Sequence, residues 1–297
     1  MGLALKAWSG VMPERQQAAF RSDRMTIFDE RKIDSHCHVL DPQRFPYAPD
    51  VGYRPAGQEM GDARYFLEVM ACHGVAHALL VGPNSGYGTD NRCLLDAIAM
   101  GQGRYKGIAV VPNDCPLETL ADLKSRGVIG IAFNPALHGF GHYADIEPLL
   151  MRLKALDLWA QFQVEKDLLL DFMPMLERVG GKLMFDHCGR PSLDQDMQQA
   201  GFQTLLALGR EGRAVVKISG YAKFSQAGFP FPDVRPYADA LVHNFGVHQC
   251  VWASDWPYLK APYRLDYGPM LKVFESQFSP AERAAILWDS PKRHFGF

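Results

Sequence analysis

From Lys32 onward the chain alternates short apolar runs with longer stretches of helical periodicity. The runs occupy residues 32–39, 77–83, 106–111, 130–134, 160–164, 182–188, 214–219 and 250–256. Their near-continuous apolar character predicts strands buried on both faces, as in a parallel sheet. Between them, 62–73 places Phe66, Val69 and Met70 on one helical face, and 90–102 does the same with Leu94, Leu95 and Ile98. Residues 145–157 carry Ile146, Leu149, Leu150, Leu153 and Leu156 at helical spacing, and 167–179, 197–211 and 233–246 continue the alternation. Ser279-Pro280-Ala281-Glu282 combines an N-cap serine, a proline at the first helical position and a glutamate at the third, which predicts a helix start.

Eight strands alternating with helices predict an α/β fold, a (β/α)8 TIM-like barrel over residues 29–297. Residues 1–28 have mixed charge and no sustained period, and read as a short N-terminal extension. A doubly wound open sheet is the alternative, but its GxGxxG fingerprint after the first strand is missing.

Composition narrows the classes without choosing a function. The 297 residues are 47% hydrophobic and 22% charged, which leaves little room for long disorder. Thirty-one basic against 33 acidic side chains give a net charge of −2, so no general attraction to nucleic acid or an anionic membrane is expected. No apolar stretch has the length of a membrane span or a signal-peptide core, and Lys6 stands where a myristoylation motif wants serine or threonine. The six cysteines are spread without a CxxC pair. A chain this long needs no covalent staples, so the expected location is the reducing cytoplasm.

In a barrel the active residues gather at the C-terminal strand ends. Three ends are chemically loaded: Asp34-Ser35-His36-Cys37-His38, Asp186-His187-Cys188-Gly189-Arg190-Pro191 and Ser254-Asp255-Trp256-Pro257. Residues two apart on a strand share a face, so His36 and His38 point the same way. Such a pair can bind a divalent metal or donate to an oxyanion. A lone histidine near a strand end is usually structural. Histidines on the first and sixth strands with an aspartate on the eighth, all on one rim, form a much stronger joint signal.

These residues resemble the amidohydrolase-related family. DSHCHV, FPY and Tyr53, Ser85-x-x-Gly88-Thr89-Asp90-Asn91, FDHCGRP and SDWP follow its order and spacing, from about residue 32 to the C-terminus. Within the family the likeness is to 2-pyrone-4,6-dicarboxylate lactonases and their sugar-lactonase relatives. The resemblance implies a distorted barrel that hydrolyses a cyclic ester. Carried over by motif, Asp255 becomes the general base, and His36, His38 and His187 line the carbonyl side. Tyr53 matches the family's tyrosine in the loop after strand 1, and Arg190, in the GRP turn, an arginine that either binds substrate or holds the loop. No histidine ends the fifth strand, Ala160-Gln161-Phe162-Gln163-Val164. The lactonase likeness therefore implies no required cofactor; the alternative is zinc or manganese held by His36, His38, His187 and Asp255.

The chain departs from these relatives at their arginines. Ala132 and His138 stand where the pyrone-dicarboxylate pattern has two, and Lys223 where it has a third. Lysine grips carboxylate only as a point charge, so a substrate with fewer carboxylates is expected. The candidate binding set is Tyr53, Ser85, Asn134, Arg190 and Lys223, and the partner a small-molecule lactone. A zinc-dependent hydrolase or decarboxylase, and a non-catalytic binding protein on the same barrel, are the competing readings. Oligomeric state stays open.

Overall fold

The computed structural model describes residues 26–297; residues 1–25 of the expected extension lie outside the described residues. Eight parallel strands run in ring order: β1 (Lys32–Cys37), β2 (Val75–Val81), β3 (Tyr105–Ala109), β4 (Val128–Phe133), β5 (Trp159–Phe162), β6 (Lys182–Phe185), β7 (Ala214–Ile218) and β8 (Cys250–Trp252). All eight apolar runs form strands. Each strand is followed by one long helix: α1 (Ala63–Cys72), α2 (Arg92–Met100), α3 (Leu117–Ser125), α4 (Glu147–Ala155), α5 (Leu168–Val179), α6 (Ala200–Arg210), α7 (Arg235–Phe245) and α8 (Tyr267–Gln277). This is the (β/α)8 barrel.

Two helices, α3 and α8, carry little periodic signal. In α3 only Leu120 and Leu123 are buried while Leu117 is exposed, and α8 opens Tyr267-Gly268-Pro269. The predicted helix start at Ser279 forms a full capping box with Glu282.

Alternate strand residues face inward, as the period of two requires. Leu79, Val81, Ile108, Trp159, Met184, Val215 and Val251 build an inner apolar cluster, and Phe295 of the C-terminal tail packs against it. The opposite strand faces join the larger core beneath the helices.

The barrel closes on its chemistry. β8 is only three residues long, and the chain just beyond it completes the ring against β1. Asp255 N donates to His36 O at 2.9 Å, and His38 N donates to Trp256 O at 2.8 Å. The main chain therefore fixes the first and eighth strand-end motifs to each other.

Candidate active site

The loaded run ends leave the strand conformation at the rim. His187, Cys188 and Arg190 have φ of 51°, 58° and 44°, and Asp255 has φ of 62°. Left-handed backbone at non-glycine residues costs on the order of 1–3 kcal/mol each and persists where the surroundings hold it. Here it turns the side chains of His187 and Asp255 toward the barrel axis.

Four groups converge. Asp255 Oδ1 lies 3.9 Å from His36 Nε2, 3.7 Å from His38 Nε2 and 3.5 Å from His187 Nε2. The two Nε2 atoms of His36 and His38 are 3.3 Å apart. All four residues are buried. Asp255 Oδ1 and His187 Nε2 have no hydrogen-bond partner, and Lys223 Nζ reaches the other carboxylate oxygen, Oδ2, at 2.9 Å. Burial pushes the Asp255 carboxyl up, but Lys223 and His187 outweigh it and hold it well below the usual value. Asp34 takes no part in the convergence. A register irregularity follows it in β1, and its carboxylate accepts from Ser254 N, Ser254 Oγ and Tyr267 Oη.

Beneath the histidines lies a polar layer without counterpart in the sequence reading. Lys217 Nζ is 3.0 Å from Asp186 Oδ1, 2.7 Å from Gln161 Oε1 and 3.1 Å from His36 Nδ1. Gln161 Nε2 donates to Asp186 Oδ2 at 2.9 Å. Three acceptors surround the three ammonium protons, so His36 Nδ1 accepts and its Nε2 carries the proton. His38 Nδ1 faces Val81 O at 2.8 Å and must donate, which leaves a lone pair on His38 Nε2 to accept from His36. A directed chain results: Lys217 to His36 to His38 to Val81. His187 Nδ1 meets the Ser219 hydroxyl at 3.0 Å. With that hydroxyl donating, His187 Nε2–H is the free imidazole donor facing Asp255.

Burial and Lys217 lower the His36 pKa to about 4, against Asp186, and burial lowers His187 well below its usual value. Burial pushes the Asp186 carboxyl up, but Lys217 and His36 hold it low. The signal for Lys217 and Gln161 was present: each interrupts an otherwise apolar strand run.

A cavity of about 440 Å³ opens above this layer. His36, His38, Gln161 and Asp186 border it, with Ser85, Asn134, Arg190 and Lys223 on its walls. Four of the five expected binding residues thus come together. Tyr53 does not line the cavity; its hydroxyl donates to Glu59 and its ring lies 4.6 Å below the Lys260 ammonium. Arg190 is paired with Glu165 at 2.8 Å. Ala132 lines the cavity, whereas the exposed His138 stacks on His142. A larger groove of about 790 Å³ between α1 and the segment after β8 contains none of the four converging groups.

Among the described residues, the cluster compact enough to hold a metal ion comprises three of these four groups and omits His38. His36, His187 and Asp255 each bring one ligand atom within 4.8 Å of the others. These donors fit a divalent cation when His36 and His187 take the other tautomer, Nδ1–H donating to Asp186 Oδ1 at 3.2 Å and to Ser219 Oγ at 3.0 Å, which frees both Nε2 lone pairs.

A model of the amidohydrolase family matches residues 33–297. The chain belongs to this family. The match runs from the second residue of β1 to the C-terminus, so every converging group falls within it. A 4-sulfomuconolactone hydrolase of Rhizobium radiobacter is 32% identical over 275 residues, covering 89% of each chain. A 2-pyrone-4,6-dicarboxylate hydrolase of Comamonas testosteroni is 25% identical over 285 residues, covering 88% of each. Among solved structures, a probable 2-pyrone-4,6-dicarboxylic acid hydrolase of Acinetobacter baumannii with citric acid bound superposes with a TM-score of 0.77 at 25% identity, covering 90% of this chain and 99% of that one. No helix among the described residues is long and apolar enough to cross a membrane.

Proposed function

We propose that this amidohydrolase opens a lactone by hydrolysis, with Asp255 as the base. The observation that carries the reading is the unpartnered Asp255 Oδ1 facing three imidazole Nε2 atoms at the rim. The names of three relatives, two 4-sulfomuconolactone hydrolases and a 2-pyrone-4,6-dicarboxylate hydrolase, support it. In this mechanism water held at Asp255 Oδ1 gives its proton to the carboxylate as its oxygen bonds the acyl carbon. His187 Nε2–H donates to the developing oxyanion, while His36 and His38 fix the water's place. Collapse breaks the ring C–O bond, and the proton on Asp255 passes to the departing alkoxide. A carboxylic acid whose pKa is held low by Lys223 gives that proton up readily.

The charges of the site support hydrolysis without a required metal. Lys223 stands against Asp255 and Lys217 against Asp186, so a divalent cation would join two ammonium groups already in place. The second reading, favoured by the clustering of the His36, His187 and Asp255 ligand atoms within 4.8 Å of one another and by the two unpartnered buried atoms, has zinc or manganese held by those three, with His38 beside them. Bound there, the ion would supply Lewis-acid polarisation and a more acidic water. Metal analysis with activity after chelation separates the two: stoichiometric metal essential for turnover contradicts the metal-free reading.

We place the reaction in the cytoplasm, a reading supported by six free cysteines. The test of the function is proton release from a panel of sugar-acid lactones, muconolactone-type lactones and pyrone carboxylates. Turnover of at least one is expected; none with any of them contradicts the proposal.

A further inference from the structure

Four cationic side chains surround the rim cavity or lie beneath it. Three have their own carboxylate: Lys217 with Asp186 at 3.0 Å, Lys223 with Asp255 at 2.9 Å and Arg190 with Glu165 at 2.8 Å. The fourth, Lys260, lines the cavity and forms no ion pair among the described residues. Its surroundings fix its place. The backbone at Lys260 is left-handed, with φ of 57°, and its N–H donates to Glu59 Oε1 at 2.6 Å. Glu59 also takes the Tyr53 hydroxyl, and the Tyr53 ring carries the ammonium 4.6 Å from its centroid. The Glu59 carboxylate thus holds the main chain and the aromatic support, leaving the ammonium for another anion.

The other side of the cavity has the opposite character. By strand order β4 stands across the ring from β8. From β4 and the short helix after it come Ala132, Phe133, Asn134, Ala136 and Leu137, with no cation among them. The cavity therefore has one uncompensated positive charge on the β8 side and an uncharged wall on the β4 side.

We propose that Lys260 is the specificity residue for the single anionic group of a mono-anionic lactone, whose uncharged flank lies against Ala132 and Leu137. This rests on the lactonase reading and extends it to the substrate class. Lys223 and Arg190 are already matched by carboxylates. A second anion on the substrate therefore gains nothing, and would meet the uncharged wall.

A matched pair tests this: 5-oxotetrahydrofuran-2-carboxylate and its carboxamide, which differ in charge but not in ring. The wild-type kcat/KM is expected to favour the carboxylate by roughly 10-fold or more, as one charged contact allows, and to lose that preference as salt is raised. Lys260→Met should collapse the ratio toward one, and Lys260→Glu should invert it. A lactone dicarboxylate should gain nothing over the monocarboxylate. An unchanged ratio in Lys260→Met, or a tenfold preference for the dicarboxylate, overturns the proposal. If neither lactone is opened, the anchor is tested by itself. Calorimetric binding of the matching lactams, 5-oxopyrrolidine-2-carboxylate and its carboxamide, should then show the same ratio and the same loss in Lys260→Met. Equal binding of both by the wild type overturns it.

Discussion

The Lys217 ammonium lies 3.1 Å from His36 Nδ1, fully buried at the centre of the barrel. It replaces the apolar side chain that the surrounding strand would otherwise supply, and it holds His36 and Asp186 in one network. Lys217→Met should therefore destabilise the fold by about 3–5 kcal/mol, because Asp186 is left as a buried unpaired charge. Urea denaturation measures this. Adding Asp186→Asn to the Met variant should recover part of the loss, and a loss below 1 kcal/mol in the single variant would contradict the network.

His187 is the imidazole with a free donor, so His187→Asn should lower kcat by about 10²–10³, the cost of removing one oxyanion donor. The same ring can be displaced without touching it. Gly220 has φ of 67°, and a Cβ there would lie 2.5 Å from His187 Cγ. Gly220→Ala should consequently lower kcat in the same direction while His187 is still present. Steady-state kinetics on both variants check this, and an unimpaired Gly220→Ala enzyme would show that the ring has room to move.

Buried neutral histidines make stability depend on pH. His36 has a folded pKa of about 4, against 6.5 unfolded, and that of His187 lies well below 6.5. The unfolded chain binds these protons first, so the stabilisation is fully present above about pH 6.5 and is lost as pH falls toward 4. For His36 this is on the order of 3 kcal/mol. Denaturation midpoints measured from pH 7.5 to pH 4.5 should fall steadily, and more gently in His187→Asn.

The barrel was legible because parallel strands buried on both faces leave apolar runs that sequence shows directly, and every one of the eight became a strand. His36, His38, His187 and Asp255 were legible because imidazoles and a carboxylate recur at run ends. The polar layer was not. Lys217 and Gln161 sit inside apolar runs, where a single polar residue usually reads as an outward-facing position; only the ring brings them together with Asp186. That Tyr53 stands off the cavity wall was not legible for a related reason. Its partners, Glu59 and Lys260, come from loops whose approach to each other no periodicity encodes. Helices α3 and α8 escaped because one has a narrow apolar stripe and the other starts with Gly268 and Pro269.

The most direct test of the account is the rate of lactone opening by Asp255→Asn, measured by proton release beside the wild type. An asparagine keeps the shape of the side chain and cannot accept the water's proton. The account predicts a fall in kcat/KM of at least 10³, with an unchanged circular dichroism spectrum. Near-full activity in the folded variant would contradict it.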